Sequence, residues 1–444
     1  MTATDLIIIG AGPGGYRAAE YAAKNGLKVI VFENDEVGGT CLNRGCIPTK
    51  SFARNAEIVQ TLKDAETYGI GGLQYKLDFK RVVERKNQVL DSLRSGINTL
   101  LSQPGITLVH EKASFVNAHT VATPSGEEYT AKNIIVATGS VSKMLKLEEW
   151  DESMTCDSSD LLADDTLPES LCIVGAGVIG MEFASIFNAF GVDVTVVEFL
   201  KECLPALDSD VAKRLRKALE KRGVKFFMQS AVKAITKEGV TFERKGKRET
   251  VAAQKVLMAV GRAPRVAEDF QNAGFEYDQR RGIVVDDNMQ TTVAGIYAIG
   301  DVNGRQMLAH AAEMQGIHAV NQILGKEDGI RLDVMPAAIF THPEAGCVGL
   351  SEDQCKERGI EYECRKAFYR ANGKALAMNE PEGMLKLLVG ADGRIIGCHV
   401  FGAHAADLAQ EASVLMCKEA TIVELRDMVH IHPTLSEILL NAAE

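Results

Sequence analysis

The chain opens on an apolar tetrad, Leu6-Ile7-Ile8-Ile9, far too short for a membrane span and the right length for a buried strand. Gly10-Ala11-Gly12-Pro13-Gly14-Gly15 follows, then a helical stretch, then an apolar run from Lys28 to Phe32 that stops on Glu33. The pattern returns as Leu171–Val174, Gly175-Ala176-Gly177-Val178-Ile179-Gly180, a helix, Asp193–Val197 and Glu198. First glycine and terminal acid stand 23 positions apart in both copies. Continuous apolar strands joined through a helix predict parallel βαβ units. Three more apolar runs end on glycine: Asn133–Ala137 before Thr138-Gly139-Ser140, Lys255–Val260 before Gly261-Arg262, and Gly295–Ile299 before Gly300-Asp301. Such endings mark the carboxyl edge at which a parallel sheet meets a ligand. From about Met335 the pattern changes to mixed strands, including Met384–Val389 and Ile395–Val400, with helices at Ala406–Lys418 and at the end. That tail predicts a separate α+β domain.

Each repeat has the parts of a dinucleotide site. The first glycine (Gly10, Gly175) permits a tight turn and the second (Gly12, Gly177) lets backbone approach a pyrophosphate. The third (Gly15, Gly180) lets helix pack on strand, and the acid (Glu33, Glu198) accepts from a ribose hydroxyl. The helix start offers free N–H groups and the positive end of its dipole. Two such units imply two bound dinucleotides. At 444 residues, two to four domains are expected. A net charge of -11 argues against a nucleic-acid surface. Met1–Asp5 carries no basic leader, so neither a signal peptide nor a membrane association is expected, and the protein reads as cytoplasmic.

Of 10 cysteines, eight are scattered without rhythm and read as buried thiols, and no Cys-x-x-Cys suggests a metal. Cys41 and Cys46 differ, lying in Gly-Gly-Thr-Cys-Leu-Asn-Arg-Gly-Cys-Ile-Pro-Thr-Lys50. Five residues of regular helix rise about 7.5 Å, whereas a disulfide wants Cα atoms within about 7 Å. The pair can bridge only if the helix distorts, and Gly45 with Pro48 makes that distortion plausible. A short, strained disulfide of this kind suits redox exchange. Near the other end stands His432-Pro433-Thr434-Leu435-Ser436-Glu437. A dithiol must lose a proton to attack, and a histidine oriented by a carboxylate is a suitable base. Thr434 and Glu437 also fit a capping box with Pro433 at the helix start, and His430 is compositionally as good a base as His432. Lys50 reads either as a solvated lysine or as a cation beside a flavin. Glu182 reads either as its partner or as first-turn charge on a helix dipole.

These segments, with Ala137-Thr138-Gly139, Thr292-x4-Tyr297-Ala298-x-Gly300-Asp301, Met307-Leu308-Ala309-His310 and Thr341-His342-Pro343-Glu344, resemble the class I pyridine nucleotide–disulfide oxidoreductases over nearly the whole chain. Within that family the resemblance is greatest to members that oxidise dihydrolipoyl groups. It implies an α/β fold with two Rossmann-like, glutathione-reductase-like domains and a C-terminal α+β dimerisation domain. The implied segments are an FAD-binding domain over 1–142, an NAD-binding domain over 143–265, a return to the FAD-binding or central domain over 266–334, and a dimer-interface domain over 335–444. FAD would lie on Gly10, Gly12, Gly15, Glu33, Lys50, Ala113, Gly139, Asp301 and Ala309. NAD would lie on Gly175, Gly177, Gly180, Glu182, Glu198, Val232 and Gly261. Cys41 would be the thiol that meets substrate and Cys46 the one that meets flavin. His432 and Glu437 would be the acid–base dyad, serving the partner subunit's site in an obligate homodimer.

The lipoyl group would come from a protein of a 2-oxoacid dehydrogenase complex or of the glycine cleavage system, since the chain has no lipoyl-type domain of its own. Glu198 favours NAD, because a carboxylate repels a 2′-phosphate, with Lys201 as the one residue that softens this. The alternative is a glutathione-reductase-like reductase of low-molecular-weight disulfides. The sequence departs from the family at Arg44, where the charge could lower a thiolate pKa or attract an anion. It departs also in the loop after Ser140, which lacks a proline, and in a short tail after Glu437.

Overall fold

The computed structural model describes residues 1–444. The chain forms two compact units, neither of them continuous in sequence. The first comprises Met1–Ser51, Arg81–Lys143 and Gly261–Leu332, the second Phe52–Lys80, Met144–Val260 and Asp333–Glu444.

The first unit is built on a seven-stranded sheet. Its parallel part runs Ile106–Val109, Val29–Phe32, Thr2–Ile9, Glu128–Val136, Ile296–Ala298. The long strand Glu128–Val136 pairs along one edge first with an antiparallel hairpin (Ser114–Asn117, Thr120–Ala122) and then with Ile296–Ala298. Leu6, Ile7 and Ile8 are fully buried, as an all-apolar run must be when both faces of a parallel sheet are covered. The first strand begins at Thr2, ahead of the apolar tetrad, because its first residues complete a ladder with Tyr129–Ala131. Register matters most for function. Ile9 lies opposite both Phe32 and Val136, and Val136 lies opposite Ala298. The strand ends are therefore level, and Gly10, Glu33, Gly139 and Asp301 emerge from one edge.

The second unit repeats this around a parallel sheet ordered Lys225–Phe227, Asp193–Val197, Ser170–Val174, Lys255–Met258, Thr155–Cys156. Val174 is level with Val197 and Met258, so Gly175 and Glu198 share an edge as their counterparts do. An antiparallel sheet over 230–251 carries Val232. The tail is a five-stranded antiparallel sheet, with Ala337–Ile339, Glu344–Gly349, Ile395–Gly402, Met384–Gly390 and Tyr362–Phe368 in that order. Residues of the helices Ala405–Cys417 and Glu437–Ala443 share one apolar core with this sheet.

Candidate functional site

In the first glycine loop the backbone leaves no room for a side chain at the first and third glycines. A Cβ on Gly10 would lie 2.4 Å from the Ala137 carbonyl oxygen, and one on Gly15 1.9 Å from that of Gly10. The helix Pro13–Lys24 starts with Gly12 at its N-cap, proline in the first turn and no side-chain cap. Its leading N–H groups are thus left for a ligand. The second loop reproduces this, with 2.5 Å from Gly175 to the Ala259 oxygen and 2.0 Å from Gly180 to the Gly175 oxygen. A Cβ on Gly177 would meet nothing, so that side of the loop is open. The terminal acids have a task that their spacing did not reveal. Glu33 accepts from the N–H of Ala11 at 2.8 Å and of Asp35 at 3.0 Å. Glu198 accepts from Ala176 at 2.5 Å and Leu200 at 2.7 Å. Each carboxylate pins its own glycine turn.

The redox segment breaks where the distance argument required it to. The helix Gly39–Arg44 stops, Gly45 turns out of helical geometry, and a new helix runs Cys46–Lys63. A Cβ on Gly45 would come within 3.0 Å of the Thr40 oxygen. Both cysteines are thiols. The hydrogen bond with Cys46 pushes the Cys41 thiol well up, and burial and the nearby Cys46 charge act the same way, while the Lys50 ammonium pulls it down. Asn43, between the cysteines, braces the segment. It donates to the carbonyls of Val37 (3.0 Å) and Gly39 (2.9 Å) and accepts from Arg94 at 2.6 Å. Arg44 is corrected. Its guanidinium is paired with Asp35, whose carboxyl that bond holds below its usual range against the opposing effect of burial. Its charge is thus paired with Asp35 at the surface.

Asp301 accepts from the Ser140 hydroxyl. Arg262 holds that serine through Oγ (2.7 Å) and its carbonyl (2.9 Å) and stands 4.0 Å from Asp301. Gly139 sits in the left-handed region with open space beside it, and Ala113 is buried at the start of the hairpin. Ala309 begins the helix Ala309–Leu324, which has no side-chain cap either. Just before it, Oε1 of Gln306 is buried with no hydrogen-bond partner. Uncapped helix starts, a loop without room for a Cβ at its first and third glycines and an unsatisfied buried acceptor make this edge fit a dinucleotide cofactor.

His432 Nδ1 lies 2.9 Å from Glu437 Oε1, and Glu437 Oε2 accepts from the Thr434 N–H at 2.9 Å. These bonds, the backbone one first, hold the Glu437 carboxyl below its usual range. The capping-box reading is corrected. The helix starts at Glu437 with no side-chain cap, Pro433 lies outside it, and the Thr434 hydroxyl donates to the Ile431 carbonyl. The two histidines also separate. The His430 side chain is 7% exposed and its Nε2 stands 3.9 Å from Glu411, whereas the His432 side chain is 78% exposed. Glu182 is buried, lies past the first turn of the helix Val178–Ala189, and accepts from the Phe340 N–H at 2.9 Å, so helix-dipole charge does not account for it. Val232 is half-buried against the apolar core of the second unit. Gly261, in the left-handed region, accepts from the Lys143 N–H at 2.9 Å. In the sequence Ser140, Arg262 and Asn43 stood out only as neighbours of the glycines and cysteines, with no role of their own, and Arg94 not at all; only Asn43 carried a signal, as a polar amide between the two cysteines. No His, Cys, Asp or Glu cluster is arranged to hold a metal, and no helix is long and apolar enough to cross a membrane.

Two neighbouring thiols beside one glycine-loop edge, with a second such loop in the same chain, point to a class. The chain belongs to the pyridine nucleotide–disulphide oxidoreductases, matching that family's model over residues 4–316 and the model of its dimerisation domain over residues 335–443. It is an FAD-dependent oxidoreductase with a pyridine nucleotide as second cofactor. Its C-terminal domain is the family's dimerisation domain, which supports a homodimer. Among its relatives is a dihydrolipoyl dehydrogenase of Corynebacterium glutamicum, 38% identical over 99% of this chain and 97% of that protein. Another, of Mycoplasma pneumoniae, is 35% identical over 99% and 98%. Among solved structures, LpdA of Mycobacterium tuberculosis superposes with a TM-score of 0.90 at 27% identity, covering 100% of this chain and 99% of that one. The HOCl-induced flavoprotein disulfide reductase RclA of Escherichia coli gives 0.87 at 28%, covering 99% of each.

Proposed function

We propose that this chain is a dihydrolipoyl dehydrogenase, oxidising protein-bound dihydrolipoyl groups with NAD in the cytoplasm. The observation that carries the reading is the meeting of Cys41 and Cys46 across the break at Gly45, beside the cofactor edge. Full-length relatives named for this activity support the choice of substrate. In the oxidised pair, His432 takes the proton of a substrate thiol. The resulting thiolate attacks Cys41 Sγ, breaks the Cys41–Cys46 bond, and releases Cys46 as a thiolate beside the charge of Lys50. The second substrate thiol then attacks the substrate sulfur of the mixed disulfide. Cys41 leaves, and the substrate departs as a cyclic disulfide, two electrons poorer. Bound FAD supplies the route by which those electrons leave the dithiol as a hydride for NAD.

In this reading Gly10, Gly12, Gly15, Glu33, Ala113, Gly139, Asp301 and Ala309 hold FAD, with Lys50 beside its ring. Gly175, Gly177, Gly180, Glu182, Glu198, Val232 and Gly261 hold NAD. Glu198 selects NAD because its carboxylate opposes a 2′-phosphate, and exposed Phe199 and Leu200 offer no cation to offset it. His432 and Glu437 serve the partner subunit's site, and the lipoyl group arrives on a protein of a 2-oxoacid dehydrogenase complex or of the glycine cleavage system. The likeness to RclA favours one second reading, a reductase of other disulfides. The deciding assay sets FAD-loaded protein with dihydrolipoamide and NAD beside the same protein with NADPH and glutathione disulfide. Turnover in the first mixture alone is expected; turnover in the second alone overturns both the substrate and the NAD assignments.

A further inference from the structure

We propose that Asn372 is a positioning residue for the His432–Glu437 pair, acting through the carbonyl of Thr434. This rests on the reading of that pair as the acid–base dyad. His432 sits on an exposed loop and has one side-chain hydrogen bond, to Glu437. Something must hold the loop if that bond is to point the imidazole, and few groups are placed to do so. Asn372 is 3% exposed. Its Nδ2 donates to the Thr434 carbonyl at 2.9 Å, and the N–H of the same Thr434 donates to Glu437 Oε2 at 2.9 Å. The other oxygen of that carboxylate meets His432 Nδ1 at 2.9 Å. Three hydrogen bonds, joined through the backbone of Thr434 and the Glu437 carboxylate, thus lead from Asn372 to the imidazole.

The root of this chain is fixed. The Asn372 N–H donates to the carbonyl of Tyr369 at 2.8 Å, and fully buried Tyr369 donates in turn to the Ala403 carbonyl at 2.9 Å. At the far end of the same terminal helix, Arg365 donates to the Ala443 carbonyl at 2.8 Å. The helix that starts with Glu437 is therefore held at its C-terminal end by Arg365, and the loop before it by Asn372. The other titratable groups nearby are His430, which acts on the Glu437 carboxylate, and Glu411 beyond it.

Asn372 also has an ordinary duty, since its Oδ1 caps the short helix Gly373–Ala377 by accepting from the Ala375 N–H at 2.9 Å. The two duties use different atoms, so they can be separated. Serine and aspartate both keep an oxygen for the cap; an ionised aspartate has no donor for Thr434, and the serine hydroxyl ends one atom short of the amide nitrogen that reaches it. We would prepare Asn372→Ser and Asn372→Asp as FAD-loaded dimers beside His432→Gln and follow flavin absorbance by stopped flow. Reduction by dihydrolipoamide is expected to slow roughly tenfold in either variant. The acid limb of its pH profile is expected to move, because the base is no longer held in place. Reduction by NADH, which needs no base at that position, is expected to stay at the wild-type rate. Wild-type dithiol rates and an unmoved acid limb in either folded variant, with His432→Gln slow, would overturn the positioning role alone. A wild-type dithiol rate in His432→Gln would instead overturn the dyad.

Discussion

The side chains around Cys41 show how environment decides which of many similar residues reacts. Six cysteines, Cys156, Cys172, Cys203, Cys347, Cys355 and Cys398, are buried, which keeps their thiols away from any substrate. Cys41 and Cys46 are half-buried, share a hydrogen bond and lie within reach of the Lys50 charge. Cys46→Ser is expected to cut dihydrolipoamide–NAD turnover by about 1,000-fold or more, because the exchange loses its leaving thiolate; a steady-state assay checks this. Glu198 is the second residue with a measurable consequence. Glu198→Gln keeps an acceptor for one of the two loop N–H groups and removes the charge. The preference for NAD over NADP, read as a ratio of kcat/KM values, is expected to fall roughly tenfold. An unchanged ratio would assign nucleotide choice elsewhere.

Among the elements of the second unit, a buried ion cluster does the joining. Lys386, on the strand Met384–Gly390 and fully buried, donates to Asp208 at 2.6 Å and to Glu352 at 2.8 Å. Asp208 caps the helix Ser209–Lys221 and Glu352 opens the helix Glu352–Arg358, so one ammonium ties two helix starts to a sheet. His399, opposite Lys386 on the next strand, accepts from the Asp208 N–H at 3.1 Å through Nδ1, which leaves Nε2–H to donate to the Leu350 carbonyl at 3.1 Å. Lys386→Met would leave Asp208 buried without its cation, a loss of about 3–5 kcal/mol. The Lys386 hydrogen bond, foremost among several causes, holds the Glu352 carboxyl at about 2, against an ordinary value near ~4.3. A lowered carboxyl contributes stability that is whole above the ordinary value and is lost as pH falls through the folded one. The gap in thermal midpoint between wild type and Lys386→Met is therefore expected to be widest above about pH 4.5 and to narrow toward about pH 2. Melting curves across that range provide the check.

At the scale of the whole molecule, the feature that a single chain does not explain is the segment before His432. Val429 is 99% exposed and Ile431 78%, an apolar run that water would disfavour, in a domain whose family dimerises. Covering this segment with a second copy would bury it and carry His432 to the partner subunit. Ile431→Glu is expected to shift the protein toward monomer in sedimentation velocity and to lower dihydrolipoamide oxidation in parallel. Reduction of bound FAD by NADH, which in the proposed reading calls on no residue of this segment, should persist. A dimer of unaltered activity would place the interface elsewhere.

The two glycine repeats, their acids, the Cys41–Cys46 segment and the change of pattern near Met335 were legible because each follows from local rules. Apolar runs joined through a helix read as parallel strands covered on both faces, a glycine turn admits only glycine, and two cysteines five apart need a broken helix. The strand Asp193–Val197 fell where its pattern put it, and the tail helix expected at Ala406–Lys418 came within one residue. Tertiary structure decided what depends on a distant partner. Arg44 looked like a charge for thiols and is taken by Asp35; Thr434 looked like a cap and instead ties its own loop. His432 and His430 were equivalent until burial and the Glu437 carboxylate distinguished them. Arg262 with Ser140, and Asn372 with Thr434, lie too far apart in sequence to be paired by any periodicity. Sequence pattern fixes what a segment must bury and how it must turn; only the folded chain determines which polar groups then find one another.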